Sequence, residues 1–226
     1  MSIIAIAPPM FRARAAPITI QYVGSAINSG LSSGVTGSVN FGVAAATRYA
    51  LAFVSYSGSI TVSSLTILGV AATQIQTQYG PSERGAVYLA AIPAGGTGNV
   101  VVALSANAGF GCTVDCYRID SPTPPVMVDS EAVSSATLNY TNSGIVVPPN
   151  GGIVAAMRSV KTGSGVSTFT WTGLTEDADA QAGSASRGRS AASAKFTSGQ
   201  NPLTIGVNGT ITPSTNGGSF IAVCLQ

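Results

Sequence analysis

Short runs of alternating or β-branched residues recur along nearly the whole chain, among them ITIQYV, YALAFVSY, ITVSSLTIL, NVVVAL and CTVDCYRI, and Gly, Pro and Asn break them apart. Such runs put successive side chains on opposite faces of a strand, and no long segment keeps the apolar spacing of a helix. The class is therefore all-β. Strands are expected near 18–23, 35–41, 49–56, 60–68, 71–77, 86–92 and 99–104, then at 112–119, 126–132, 136–140, 145–147, 152–159, 166–172, 190–196, 203–207 and 219–225. Many short strands spaced this way pack most economically as a two-sheet β-sandwich of jelly-roll type, with one face of each strand buried.

Turn chemistry punctuates the pattern. Gly69 in ILGVAATQ predicts a tight turn that pairs 60–68 with 71–77 as a hairpin. The clusters PAGGTG and PPNGG combine a residue that fixes φ with residues that admit positive φ, and neither is followed by the helix or the Lys of a phosphate-binding loop. The 226 residues suffice for one large sandwich over 17–226. The proline-rich SPTPPVM at 121–127 is a candidate seam, and two smaller sandwiches joined near Pro124 are the alternative. Residues 1–16 differ from the rest. Their apolar Ile3, Ile4, Ile6, Met10 and Phe11, followed by Arg12 and Arg14, describe an extended arm suited to a neighbouring subunit, because alone in water it would bury too little to be ordered. The apolar stretch is too short for an export signal, and no window is long enough for a transmembrane helix.

Composition narrows the function. Only 8% of residues are charged, against about 25% in ordinary domains, and 28 Ser, 22 Thr and 27 Gly wet the chain instead. The segments Tyr49 to Ser82 and Gly85 to Val114 carry no charged side chain. A surface of this kind repels partners weakly, so the expected partners are other copies of the chain and other subunits. Net charge is +2, which argues against nucleic acid or membrane as a partner.

The chain has no histidine, which excludes Ser-His-Asp and Cys-His nucleophile systems, and three cysteines supply no zinc shell. Cys112 and Cys116 would lie on one face of a strand about 13 Å apart, too far for a bridge, so three buried free thiols are expected. Glu176, Asp177 and Asp179 in TEDADAQAG are weak candidates for a metal site. They lack EF-hand spacing, and a solvated loop with Arg187 and Arg189 as counter-charges is the plainer reading. Asp129 and Glu131 share one strand face, as on any exposed edge, while Asp115 and Asp120 read as strand-face and turn polarity. No cofactor is expected, and the chain reads as non-enzymatic. Trp171, in STFTWTG, shares a strand face with Phe169: turned inward both are core, turned outward the indole could stack on a sugar ring of a host surface glycan.

The hairpin SLTILGVAATQ, then AVYLAAIPAGGTGNVVVALS, VPPNGGIVAA and TWTGLTEDADAQAGSASRGRSAAS, in that order, resemble a group of tailed-bacteriophage virion structural proteins. The resemblance brings no catalytic residues. It implies a virion location and assembly on a particle, as capsid decoration, spike, collar or tail appendage, as a homo-oligomer or in contact with other virion proteins. A carbohydrate-binding module is the rival reading.

Overall fold

The computed structural model describes residues 16–28, 31–79, 83–109, 111–135, 139–161, 167–181, 187–211 and 215–226. They form seventeen strands, and no helix occurs among them. The first nine are β1 (Thr19–Asn28), β2 (Ser32–Asn40), β3 (Arg48–Ser57), β4 (Val62–Ile67), β5 (Val70–Ala71), β6 (Thr73–Tyr79), β7 (Glu83–Ala91), β8 (Thr97–Ala108) and β9 (Cys112–Asp120). After the connection 121–126 come β10 (Met127–Ser135), β11 (Asn139–Val147), β12 (Gly152–Lys161), β13 (Ser167–Thr172), β14 (Thr175–Gln181), β15 (Arg187–Lys195), β16 (Gln200–Ile211) and β17 (Thr215–Leu225).

All pairing is antiparallel, and the strands make four sheets rather than the two expected. In the first half an outer sheet, β2-β8-β4-β5, covers an inner sheet, β1-β9-β3-β7-β6. In the second half the inner sheet is β10-β17-β12-β15-β14 and the outer sheet is β11-β16-β13. Strand alternation allots the side chains among three cores. Ala50, Ala52 and Val54 of β3 face the outer sheet of their own half, with Val100 and Val102 of β8. Leu51 and Phe53, the intervening residues, face the other way and meet Val154, Ile221 and Val223 of the second inner sheet. A third core, with Ile153, Met157, Ile205 and Phe220, lies between the second inner and outer sheets. The molecule is thus two sandwiches stacked back to back. Their inner sheets are buried on both faces, which explains why β3 and β12 read as nearly continuous apolar runs.

The two halves share one wiring. Each inner sheet lists its first strand, last strand, third strand and then the two that precede its long hairpin to the outer sheet. The register agrees residue by residue: Ala50 lies between Arg118 and Ala90, and Ile153 lies between Cys224 and Ala194. Both sheets carry a β-bulge at the same point of the edge strand, between Gln74 and Gln76 in β6 and between Glu176 and Ala178 in β14.

Local differences from the sequence reading have simple causes. The turn at Leu68–Gly69 forms, with φ of 52° and 79°, but pairs only Thr66 and Ile67 with Ala71 and Val70. The chain then leaves for the inner sheet as β6, where Thr73 and Gln74 meet β7. Residues 139 and 140 of one expected strand and 145–147 of the next belong to a single strand, β11, whose register shifts let it bend, while 136–138 lie outside the described residues. TEDADAQ is not a solvated loop. It is β14, an edge strand on β15, where acidic residues are tolerated because one side of the strand remains open.

Candidate functional site

The inner-sheet interface begins with a parity rule. On β9, Cys112, Val114 and Cys116 point into the first core, which sends Asp115, Tyr117 and Ile119 toward the second half. On β12 the parity that buries Val154 and Ala156 in the interface also buries Arg158, and on β15 Arg189 shares the face of Ala191. Glu83 begins β7 on the face of Val87. Four charged side chains are thereby carried into an otherwise apolar layer, and all are buried: Glu83 3%, Asp115 2%, Arg158 1% and Arg189 4% exposed.

They meet in pairs across the interface. The Arg158 guanidinium lies 2.5 Å from the Glu83 carboxylate. It also donates to the carbonyls of Ser55 and Gly111, so one side chain from the second half ties down three points of the first. Arg189 pairs with Asp115 and donates to Ser25 Oγ at 2.9 Å. Tyr117 donates its hydroxyl to Asp177 at 3.0 Å. Burial, reinforced by the Asp177 charge, pushes the Tyr117 hydroxyl well above its ordinary pKa, so it stays a donor. Burial also raises the Asp177 carboxyl, opposed by hydrogen bonds from Ser193 and Tyr117. Gln76 Nε2 donates to Ser130 Oγ at 2.7 Å across the same interface. Removing one member of such a buried ion pair typically costs about 3–5 kcal/mol, because its partner is left charged without water.

A second polar cluster closes the opposite end of the first inner sheet. Asp120 accepts from Arg48 at 2.9 Å on one oxygen, while the other accepts from Thr19 at 3.2 Å and lies 3.1 Å from Arg118. Asp129 accepts the backbone N–H of Val146 at 2.7 Å, and Glu131 accepts from Asn142, so these two acids fasten β10 to β11. The carboxylates described here are spent on guanidinium, amide or hydroxyl groups of the chain. That arrangement suits the joining of sheets.

Several sequence candidates land elsewhere. Asp115 lies on a strand face, as expected, but that face is buried, and Arg189 pairs with it instead of with the acidic stretch. Glu176, Asp177 and Asp179 do not converge: Asp177, at the bulge, turns to Tyr117, while Asp179 accepts the Phe169 N–H at 3.3 Å. Among the described residues no three His, Cys, Asp or Glu side chains are grouped to hold a metal ion. Trp171 lies beside Phe220, ring centroids 6.1 Å apart, and donates its indole N–H to Ser190 at 2.8 Å. It is half-buried against the third core, to which Phe169 also belongs. The three thiols are free and buried, each pushed up to about 12 by burial. The arm residues Ile3, Ile4, Ile6, Met10, Phe11, Arg12 and Arg14 lie outside the described residues.

The outer surface offers hydroxyls and scattered aliphatics. An open recess of about 510 Å³ between β1, β2 and β8 is walled by Asn28, Ser32, Ser33 and Thr36, with no ionisable group. Leu31 nearby is 75% exposed, and Val126, Val128 and Val146 stand out from β10 and its neighbour β11. The interface charges were the residues that sequence reasoning missed. One signal was available: in GIVAAMRSV an arginine occupies the same parity as Val154 and Ala156, on a strand too apolar to face water. None of the known protein families, curated proteins or solved structures matches this chain.

Proposed function

We propose that this chain is a non-enzymatic structural subunit of a bacteriophage virion, a capsid decoration, spike, collar or tail appendage that assembles through uncharged β surfaces and its N-terminal arm. The observation that carries the reading is where the charge goes. Glu83 and Asp115 are bound to Arg158 and Arg189 inside the fold, and Asp120 to Arg48 and Arg118 at its margin, which leaves an already ion-poor chain with fewer groups that would repel neighbours. The exterior that remains is rich in Ser and Thr, keeps a few charges such as Glu176, Asp179 and Lys195, and exposes Leu31, Val126 and Val128. Contacts of that kind are individually weak and gain strength from many copies on one particle.

The finer architecture belongs to the same reading. With β5 and β6 counted as one path that changes sheets, each half has eight strands in two sheets, its first strand beside its last, and this order supports reading each half as a jelly roll, an architecture common in viral capsid and lectin domains. Fold alone does not assign function. Residues Ile3 to Phe11 supply the apolar part of the arm, and Arg12 and Arg14 its anchoring charges.

Light scattering on the purified chain, with immunogold labelling of particles, tests the reading. Self-association, or labelled particles, is the expected result. A chain that stays monomeric at high concentration and labels no particle contradicts it. A glycan array addresses the rival: saturable sugar binding lost in Trp171→Ala would replace the structural role with a receptor-binding one.

A further inference from the structure

The two inner sheets meet in a way their shared wiring makes legible. Counted from the matching bulges of β6 and β14, the registers make Ser55 equivalent to Arg158, and Arg158 donates to the carbonyl of Ser55 itself. Where two like surfaces pair reciprocally, equivalent residues meet at the two-fold axis and every other contact occurs twice. On one side of this axis Arg189 meets Asp115 and Ser25. Their equivalents on the other side are Gly85, Ile221 and Ala132. These too come together: a Cβ built on Gly85 would lie 2.6 Å from Ile221 Cδ1, and Ala132 packs on the same core. Farther out, Tyr117 bonds Asp177 on the first side. Their equivalents are Val223 and Ile75, the residue at the matching bulge, and both belong to the apolar core of the interface. The same contacts thus occur twice, once polar and once apolar. The long polar side chains fill a wider gap, while the absence of a side chain at Gly85 lets the sheets approach closely along β6 and β7 against β10 and β17.

We infer that the inner faces of the two sheets are two copies of one self-pairing surface, altered so that each half accepts only the opposite half, in its own chain or in a second copy. Pairing of two first halves would set Asp115 against Gly85 and Tyr117 against Ile75, burying a carboxylate where no guanidinium stands. Pairing of two second halves would set Arg189 against Ile221, Asp177 against Val223 and one Arg158 against another. Uncompensated charge in a dry layer forbids both, and the mixed pairing alone satisfies every group. The rule matters for a chain whose exterior favours association, since it keeps the strongest apolar surface from linking like halves. It holds whether or not the chain belongs to a virion.

The test uses the full chain with a protease site placed in the 121–126 connection. The cleaved protein is carried through urea, returned to buffer and weighed by native mass spectrometry, which distinguishes the three pairings by mass. Mixed pairs are expected almost alone, with like pairs below about a tenth of the total. In the variant Glu83→Gln, Asp115→Ile, Arg158→Ser, Arg189→Gly, the four buried charges that oppose like pairing are gone, and like pairs should rise at least several-fold. Like pairs from the unsubstituted halves in statistical amount overturn the inference. The uncut chain gives an independent reading: Asp115→Arg should lower the thermal midpoint by more than about 10 °C, and adding Arg189→Asp should restore most of it. If the exchanged pair stays as low as the single variant, the recognition does not reside in this contact.

Discussion

The two halves follow one plan yet end with different chemistry on their inner faces. The first half contributes acids, Glu83 and Asp115, and the second contributes arginines, Arg158 and Arg189. The outer cores differ less: both are filled by aliphatic and aromatic side chains from alternating strands. Backbone pairing and outer cores are therefore enough to specify a sandwich of this type twice over. What distinguishes the halves, and makes one chain of them, is a handful of charges at a single layer. Hydrophobic burial is non-directional and would accept several alignments of two apolar sheets. Paired, hydrogen-bonded charges accept one.

The largest effect that sharpens this comparison concerns the thiols, which report on each half separately. Cys112 and Cys116 lie in the first core and Cys224 in the third, each with its pKa raised from 9.0 to about 12. Their thiolate fraction near neutral pH is depressed about a thousandfold, and burial blocks reagent access as well. Native protein should resist alkylation until it opens. If the interface couples the halves, all three sites should label at one rate in mild urea; early labelling of Cys224 alone, or of the first-half pair alone, would show halves that open independently.

Next in size is Arg158→Ala, which leaves Glu83 and two carbonyls in a dry layer without their guanidinium. A loss of about 3–5 kcal/mol is expected from urea unfolding. A loss below 1 kcal/mol would mean that water already reaches the site. On the apolar side of the axis, Gly85→Ala should cost about 1–3 kcal/mol by pressing a methyl group on Ile221, and Ile221→Val in the same chain should recover part of it by removing the Cδ1 atom. Additive losses would contradict the close approach of the sheets.

How much of this was legible beforehand depended on whether the information was local. YALAFVSY and CTVDCYRI announce β3 and β9 because alternation and β-branching act within each segment. TEDADAQ did not announce β14: its acids disfavour strands, and only pairing with β15 and the bulge that turns Asp177 to Tyr117 make it one. Asp115 reads as strand-face polarity and Arg189 as a counter-charge to the nearby acids, and their pairing is hidden because the two lie far apart in sequence. The duplication was equally silent. Equivalent positions such as Gly85 and Arg189, or Ile75 and Asp177, differ in chemistry, so register reveals a kinship that residue identity conceals. Gly69 gave the turn correctly but not the length of its hairpin, since the departure of β6 depends on the waiting edge of β7.

The smallest effect is a pH dependence on the polar side of the interface. Burial raises the Asp177 carboxyl above its ordinary value of 3.8, so the folded chain binds this proton more tightly than the unfolded chain. The group's contribution to stability therefore grows as pH falls through its raised folded pKa and is lost above it. Glu176 and Asp179 are raised too and act with the same sign. Asp177→Asn should flatten the rise in urea midpoint between neutral and mildly acidic pH. An unchanged slope would assign the dependence to the other two carboxyls.

Ion pairs that act across the interface join the halves, and a double-mutant cycle on Glu83 and Arg158 measures that coupling. Glu83→Gln, Arg158→Met and the double variant are each unfolded in urea. The predicted result is a double variant that loses at least about 1.5 kcal/mol less than the sum of the two single losses. Strict additivity would show two groups that merely lie near each other, and would contradict the claim.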